Sequence, residues 1–312
     1  MSRAYYTADV FTDKAFGGNQ LAVLPDARGL SDTEMQTIAR EFNYSETVFV
    51  FPPDDPAHTR KLRIFTPGGE LPFAGHPTVG AAHVLALIGD IELDGDETEI
   101  VFEEGSGPVP VRIRSRDGKP SFCQLSAPRP PEKGTEPYDS GAIARMLRLE
   151  VADLNVDGIY AIEGVSVGLP FLIVPVRDLD ALGRARLDFA KWEETLGKAW
   201  AQDVFLFTET PSSLARDGVL KGSGEVRARM FAPPMGIVED PATGSACACL
   251  GGYLGWRAQA RNGTVRYTVN QGVEMGRPSV LFVEADVLDG AVTSVRVGGA
   301  SVLIASGTLH ID

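Results

Sequence analysis

The sequence predicts an α+β protein of two related domains, with mostly antiparallel sheets and one buried helix in each. Three observations point there. Short strands separated by turns dominate, with few helices between them, which argues against a doubly wound α/β fold. Two helices are small and apolar on nearly every face, a pattern that implies burial on all sides. A strand–loop–helix unit occurs twice. The length of 312 residues agrees, since a domain takes roughly 150.

The first half reads as strands with two helices. Residues 4–11, 21–24, 47–51 and 61–65 are rich in β-branched and aromatic side chains. Between them, 31–42 is a helix opened by a capping box, Ser31 with Glu34. Its apolar positions Met35, Ile38, Ala39 and Phe42 recur at helical spacing. PTVGAAHVLALI, residues 77–88, is the first of the two apolar helices, with its proline in the first turn. Strands follow at 99–103, 109–114 and 122–125.

SAPRPPEKG, residues 126–134, is the proline-rich break that best marks a domain boundary. The expected domains are 1–127 and 128–299, with a final strand at about 300–312 returning to the first. Helical signals near 140–149 and 187–196 are weak. Strands are expected at 158–162, 171–176, 204–207 and 226–231. GSACACLGGYLG, from Gly244, is the second apolar helix. Strands at 264–269, 280–284, 293–297 and 302–306 close the chain.

The repeat pairs RIFTPGGELPFAGHPTVGAA, residues 63–82, with RMFAPPMGIVEDPATGSA, residues 229–246. Both fit Arg, apolar, Phe, any, Pro, then a loop, then His or Asp, then Pro-x-x-Gly-small-Ala. The letters place His76 and Asp240 at matching positions. Each copy leads from a strand into the N-terminus of a small-residue helix. Such an end offers unpaired N–H groups and a partial positive charge. Two of them aimed at a shared cleft would make a site for a carboxylate. The bland alternative is that the glycines only let the helices pack closely.

Charge narrows the ligand. The net charge is −13, from 42 acidic and 29 basic residues. An acidic chain repels phosphate, which argues against nucleic-acid and anionic-membrane partners. A small anion held by backbone dipoles needs no basic patch. The three cysteines are odd in number, and Cys247 and Cys249 are two apart, so no disulfide framework is read and a reducing cytoplasm is expected. No signal-peptide core stands at the N-terminus. Apolar stretches such as 171–176 fall far short of the roughly 20 residues a membrane helix needs.

Several side chains could carry chemistry. His76 and Asp240 are either structural caps or functional groups paired by the repeat. Glu46, in NYSETVFV, opens a strongly apolar strand. It is either a solvated glutamate or a carboxylate at the mouth of a core, where desolvation would suit it to general acid–base work. Metal binding is disfavoured, because His76 and His83 stand about 10 Å apart along one helix and no Cys/His cluster has zinc spacing. Phosphate-loop and dinucleotide fingerprints are absent. A Ser245–His76–Asp240 hydrolase triad lacks a G-x-S-x-G elbow.

FGGNQLAVL, NYSETVFV, FTPGGELPFAGHPTVGAA, EDPATGSACACL and QGVEMGRPS occur in this order. The set resembles the PhzF-like phenazine-biosynthesis isomerase family, and the likeness runs from Tyr5 to about Ser306. The resemblance implies a diaminopimelate epimerase-like fold: two pseudo-symmetric domains, each a curved, mostly antiparallel sheet around a central helix. It implies a cofactor-independent isomerase acting on a small carboxylate, and a homodimer. It assigns proton shuttling to Glu46 and places His76 and Asp240 beside the substrate, with Gly75, Thr243, Gly244, Ser245 and Ser45 lining the site. Sister epimerases and racemases use a cysteine at each helix start. The corresponding positions here are Ala74 and Thr243, so two-thiol chemistry is disfavoured. A catalytically silent binding protein on the same scaffold is the alternative from another class. Two residues depart from the family pattern: Gln20 stands where proline is usual, and Tyr44 where leucine is.

Overall fold

The computed structural model describes residues 2–156, 158–209, 223–258 and 261–311. It divides into two compact units, Met1–Pro128 with Val297–Asp312, and Arg129–Arg296.

The first unit contains β1 (Ser2–Val10), β2 (Asn19–Leu24), α1 (Asp32–Phe42), β3 (Glu46–Phe51), β4 (Arg60–Phe65), β5 (Glu70–Leu71), α2 (Gly75–Leu87), β6 (Glu97–Glu104), β7 (Gly107–Arg116) and β8 (Lys119–Ser126). The chain's last strand, β18 (Ser301–His310), pairs with β1 from Ser2↔His310 to Val10↔Ser301. The ladder runs β18–β1–β2–β3–β4–β6–β7–β8. It is antiparallel except at β2/β3 and β4/β6. Parallel neighbours need a crossover, and α1 and α2 supply the two. The capping box of α1 is formed, with Ser31 and Glu34 each bonding the other's backbone. Met35, Ile38 and Ala39 bury under α1 against Leu24, Phe49 and Phe65. α2 touches β1, β2, β3 and β18 as well as β7 and β8, so the sheet curls round it. Every residue from Gly75 to Ala86 is buried, as its all-round apolar pattern requires.

The second unit contains β9 (Glu132–Lys133), α3 (Ser140–Met146), β10 (Glu163–Ser166), β11 (Pro170–Pro175), α4 (Leu179–Arg184), α5 (Phe189–Leu196), β12 (Asp203–Glu209), β13 (Ser223–Ala232), β14 (Ile237–Asp240), α6 (Gly244–Gly255), β15 (Gly263–Gln271) and β16 (Ser279–Leu288), and continues to Arg296 within β17 (Ala291–Gly299). Its ladder, β9–β10–β11–β12–β13–β15–β16, repeats the first, again with two parallel pairs, β11/β12 and β13/β15. α4 and α5 take the place of α1, and α6 that of α2. All of Gly244–Gly255 is buried.

One local expectation changes, and one helix was not expected. No strand forms over 158–162. Gly158 turns the chain at φ +83, and the Ala161 backbone is satisfied by a side chain instead of a neighbouring strand. Its N–H donates to the Tyr253 hydroxyl at 3.0 Å, and its carbonyl accepts from that hydroxyl at 2.8 Å. The strand begins at Glu163. Helix α4 carried no apolar repeat long enough to read; it is set by Asp178, whose side chain accepts from Ala181 N–H. Among the described residues no helix is long and apolar enough to cross a membrane.

Candidate active site

In the first unit the start of α2 meets the starts of β2 and β3. Ala74 is the N-cap and makes no side-chain capping bond. Gly75 and His76 open the helix. Glu46 is the first residue of β3, and its register places it beside Leu21 of β2. The His76 ring is buried, with Nδ1 3.3 Å from both Glu46 Oε2 and Asn19 Nδ2, and Nε2 3.4 Å from the Gln20 carbonyl. A carbonyl only accepts and an amide nitrogen only donates. The tautomer that suits both carries its hydrogen on Nε2 and turns a lone pair at Nδ1 toward Asn19 and Glu46. Burial holds the ring neutral, with its pKa pushed down to about 3, against the opposing pull of the Gln20 carbonyl. A proton on Glu46 thus has an acceptor next to it. Gln20 contributes its backbone here while its side chain stays exposed. Ser45, half-buried, directly precedes Glu46. Tyr44 packs on Phe42, ring centroids 5.9 Å apart.

In the second unit Asp240 ends β14 and is buried. Thr243 is the N-cap of α6. Its hydroxyl donates to Asp240 Oδ2 at 2.5 Å. Gln271, at the end of β15, ties these together. Its Oε1 accepts from Thr243 N–H at 3.1 Å, and its Nε2 donates to the Asp240 carbonyl at 2.8 Å and to Thr243 Oγ1 at 3.0 Å. Gly244 and Ser245 follow as buried first-turn residues. A second carboxyl, Asp203 at the start of β12, is buried, and its pKa is raised to about 7, chiefly by burial and further by the charge of Asp240.

The units share a set of contacts, and these correct the register read from the letters. Arg63 forks onto Glu70 at 2.7 and 2.6 Å, and Arg229 onto Glu239 at 2.8 and 2.8 Å. Each guanidinium also lies over the phenylalanine two residues on, at 5.2 Å for Phe65 and 5.0 Å for Phe231. Ile64 faces Leu71 as Met230 faces Asp240. Asp240 therefore matches Leu71, and His76 matches Ser245. His76 and Asp240 are not counterparts. The shared Pro-x-x-Gly letters misled because Pro77 lies inside α2 while Pro241 precedes α6. Nor is Asp240 the N-cap: that position is Thr243, three residues later.

Asn19, Asp203 and Gln271 were not singled out from the sequence. Asn19 and Gln271 sit inside two of the quoted motifs, FGGNQLAVL and QGVEMGRPS, so a signal existed. Asp203 has none, since only burial distinguishes it. Cys123, Cys247 and Cys249 are free and buried, and burial raises all three thiols above their ordinary pKa. Neither helix start carries a thiol. Among the described residues no group of three or more His, Cys, Asp or Glu side chains is gathered as metal ligands would be.

This architecture is the α+β, diaminopimelate epimerase-like fold, and several relatives are named isomerases. The model of the family described as phenazine biosynthesis-like protein matches residues 8–307, and the chain belongs to that family, the PhzF family. It is 40% identical over 314 residues to an uncharacterised isomerase of Mesorhizobium japonicum, covering 99% of both chains. It is 32% identical to the trans-2,3-dihydro-3-hydroxyanthranilate isomerase of Pseudomonas aeruginosa, covering 98% of this chain and 99% of that one. The crystal structure of a PhzF-family phenazine biosynthesis protein of Bacillus anthracis matches with a TM-score of 0.84 over 100% of each chain, at 24% identity, which speaks for the fold.

Proposed function

We propose that the chain is a cofactor-independent isomerase that relocates a proton between two carbons of a small carboxylate-bearing substrate. The chemistry resembles that named for its 32% identical relative, the isomerisation of trans-2,3-dihydro-3-hydroxyanthranilate. The observation that carries this reading is the buried Glu46–His76 contact. A carboxyl at the edge of a core, next to a neutral imidazole acceptor, is suited to taking up and returning a proton.

Glu46 takes a proton from a carbon next to an activating group, and the electrons of that C–H bond shift into the adjoining π system. Glu46 then returns the proton at another carbon, so the reaction needs no oxidant or reductant. His76 and Asp240 act with it as catalytic residues, binding the substrate's amine or hydroxyl. Gly75, Gly244 and Ser245 bind the carboxylate through first-turn N–H groups and the Ser245 hydroxyl, which also offset developing negative charge, while Thr243, its N–H and hydroxyl engaged by Gln271 and Asp240, lines the site as the cap of α6. Ser45 binds beside Glu46. The working form is a homodimer, on the strength of the family resemblance.

The test uses trans-2,3-dihydro-3-hydroxyanthranilate and a panel of related small acids in deuterated water. Turnover with deuterium entering carbon positions is expected, with kcat falling by about 10²–10⁴ in Glu46→Gln while the fold and ligand binding persist. An unchanged rate in that variant removes Glu46 from the role. Tight binding without any exchange across the panel favours a silent binding protein.

A further inference from the structure

A second buried carboxyl lies against the start of α2. Glu104 ends β6 as Gln271 ends β15, and each of these strands runs parallel to its neighbour, β4 or β13. The two residues meet matching partners. Thr78 and Cys247 both stand four residues past their helix N-caps, Ala74 and Thr243. Thr78 Oγ1 lies 2.5 Å from Glu104 Oε1, and Cys247 Sγ lies 3.9 Å from Gln271 Oε1. In one unit this position is an amide, and in the other it is a carboxyl of the same shape.

Hydrogen counting favours one state of that carboxyl. The Thr78 hydroxyl also lies 2.7 Å from the Ala74 carbonyl. A carbonyl only accepts, and a hydroxyl has one hydrogen, so that hydrogen goes to Ala74. The short contact with Glu104 then needs a hydrogen from Glu104. Its other oxygen, Oε2, is buried without a hydrogen-bond partner among the described residues. A carboxylate there would be costly, because a buried charge needs partners on its oxygens.

We propose that Glu104 serves as a neutral carboxylic acid that positions the start of α2, the counterpart of the Gln271 amide on α6, leaving the positive helix end for the substrate's anion. The last clause rests on the function proposed above; the acid form does not. Burial supports it by raising the Glu104 pKa from 4.5 to about 8, with the Ala74 N–H pulling the other way. The charged groups on neighbouring elements are engaged elsewhere. On β4, Lys61 pairs with Asp54, and Arg63 with Asp32 and with Glu70 of β5. Glu103, next in chain, is held by His58 and by the N–H groups of Asp54 and Asp55. On α2, burial keeps His76 and His83 neutral. β7 places Gly107 opposite Glu104.

The test needs no substrate. Infrared spectra of the protein and of Glu104→Gln are compared across pH. A protonated-carboxyl band at pH 7 that fades with a midpoint near 8, and is missing from the variant, is expected. Its absence at pH 7 overturns the acid form. Thermal melts give a second readout should the band be obscured. The native state keeps a proton that the unfolded chain loses above about 4.5, so the wild type loses stability relative to Glu104→Gln as pH rises from 4.5 to 8. Parallel melting curves across that window refute the proposal. For positioning, the probe is anthranilate, titrated at pH 7 and pH 9. Its affinity drops about two- to fivefold in the wild type and holds in Glu104→Gln. An equal drop in both proteins removes the positioning role. No anthranilate binding at either pH counts against the function proposed above, while the infrared band still decides the acid form.

Discussion

Arg229 closes a two-pronged ion pair with Glu239, and the same guanidinium holds the end of α4. Its Nη1 donates to the carbonyls of Leu182 at 2.9 Å and Ala185 at 2.8 Å. Arg63 makes the matching pair with Glu70 but reaches out to Asp32, which is 81% exposed. The repeat thus kept one ion pair in two settings, one dry and one wet.

These settings predict different costs. Arg229 is 3% exposed, and its removal takes the two-pronged donor from Glu239 and the side-chain donor from the Leu182 carbonyl, while the Ala185 carbonyl keeps its bond from Arg186. Arg229→Met is expected to cost about 3–5 kcal/mol. Arg63→Met, in a solvated setting, is expected to cost about 0–1 kcal/mol. Urea unfolding of both variants checks the contrast. Equal losses would show that burial does not set the value of this pair.

Much of this was legible in the sequence. The capping box, the all-round apolar helices and the Arg-apolar-Phe copies each act through a local rule that needs no tertiary knowledge. The register of the repeat did not follow, because letters align prolines whereas structure aligns helix starts. Ala74 and Thr243 mark those starts without a side-chain cap of their own. Asp203 and Glu104 were invisible for another reason. An acidic residue at a strand end reads as solvated, and only the packing of other elements over it shows otherwise. The turn at Gly158 and the unpaired stretch after it hid in the same way, since Tyr253, which satisfies the Ala161 backbone, lies far along the chain.

Acid should destabilise the first unit through its helix. Burial lowers the His83 pKa from 6.5 to about 4 and that of His76 to about 3. Between those values and 6.5 the unfolded chain takes up protons that the native state refuses. Stability is therefore full above pH 6.5 and is lost as pH falls toward 4. His83 Nδ1 is buried with no hydrogen-bond partner among the described residues, so His83→Leu deletes the titration without breaking such a bond at that atom. Melting temperatures from pH 7 down to pH 4 should fall less steeply in His83→Leu than in the wild type. The same slope in both would place the acid sensitivity elsewhere.

Asp203 should act in the opposite direction. Its pKa rises from 3.8 to about 7, so the native state holds a proton that the unfolded chain has released. Its contribution is present below pH 3.8 and is lost as pH climbs to 7. Asp203→Asn keeps the shape and removes the titration. The variant should gain stability on the wild type as pH rises from 4 to 7. If Asp203 also tempers the charge on Asp240, the pH profile of turnover should shift in the same variant with little change in substrate affinity. A variant that tracks the wild type in both measurements would leave Asp203 as packing alone.

Thiol chemistry gives the sharpest separation from the cysteine-dependent racemases. Cys247 lies four residues past the N-cap of α6 and Cys249 six, both fully enclosed, with Cys249 Sγ 3.7 Å from the Leu169 carbonyl. Burial disfavours the thiolate at Cys123, Cys247 and Cys249 alike, and the thiolate is the reactive form. Iodoacetamide at pH 8 should therefore leave the folded protein unmodified by mass spectrometry, and should label all three cysteines once urea unfolds it. Proton exchange into substrate should survive the treatment. Loss of exchange in step with alkylation of Cys247 or Cys249 would mean that a thiol reaches the substrate after all, and would transfer the acid–base role from Glu46 to sulfur.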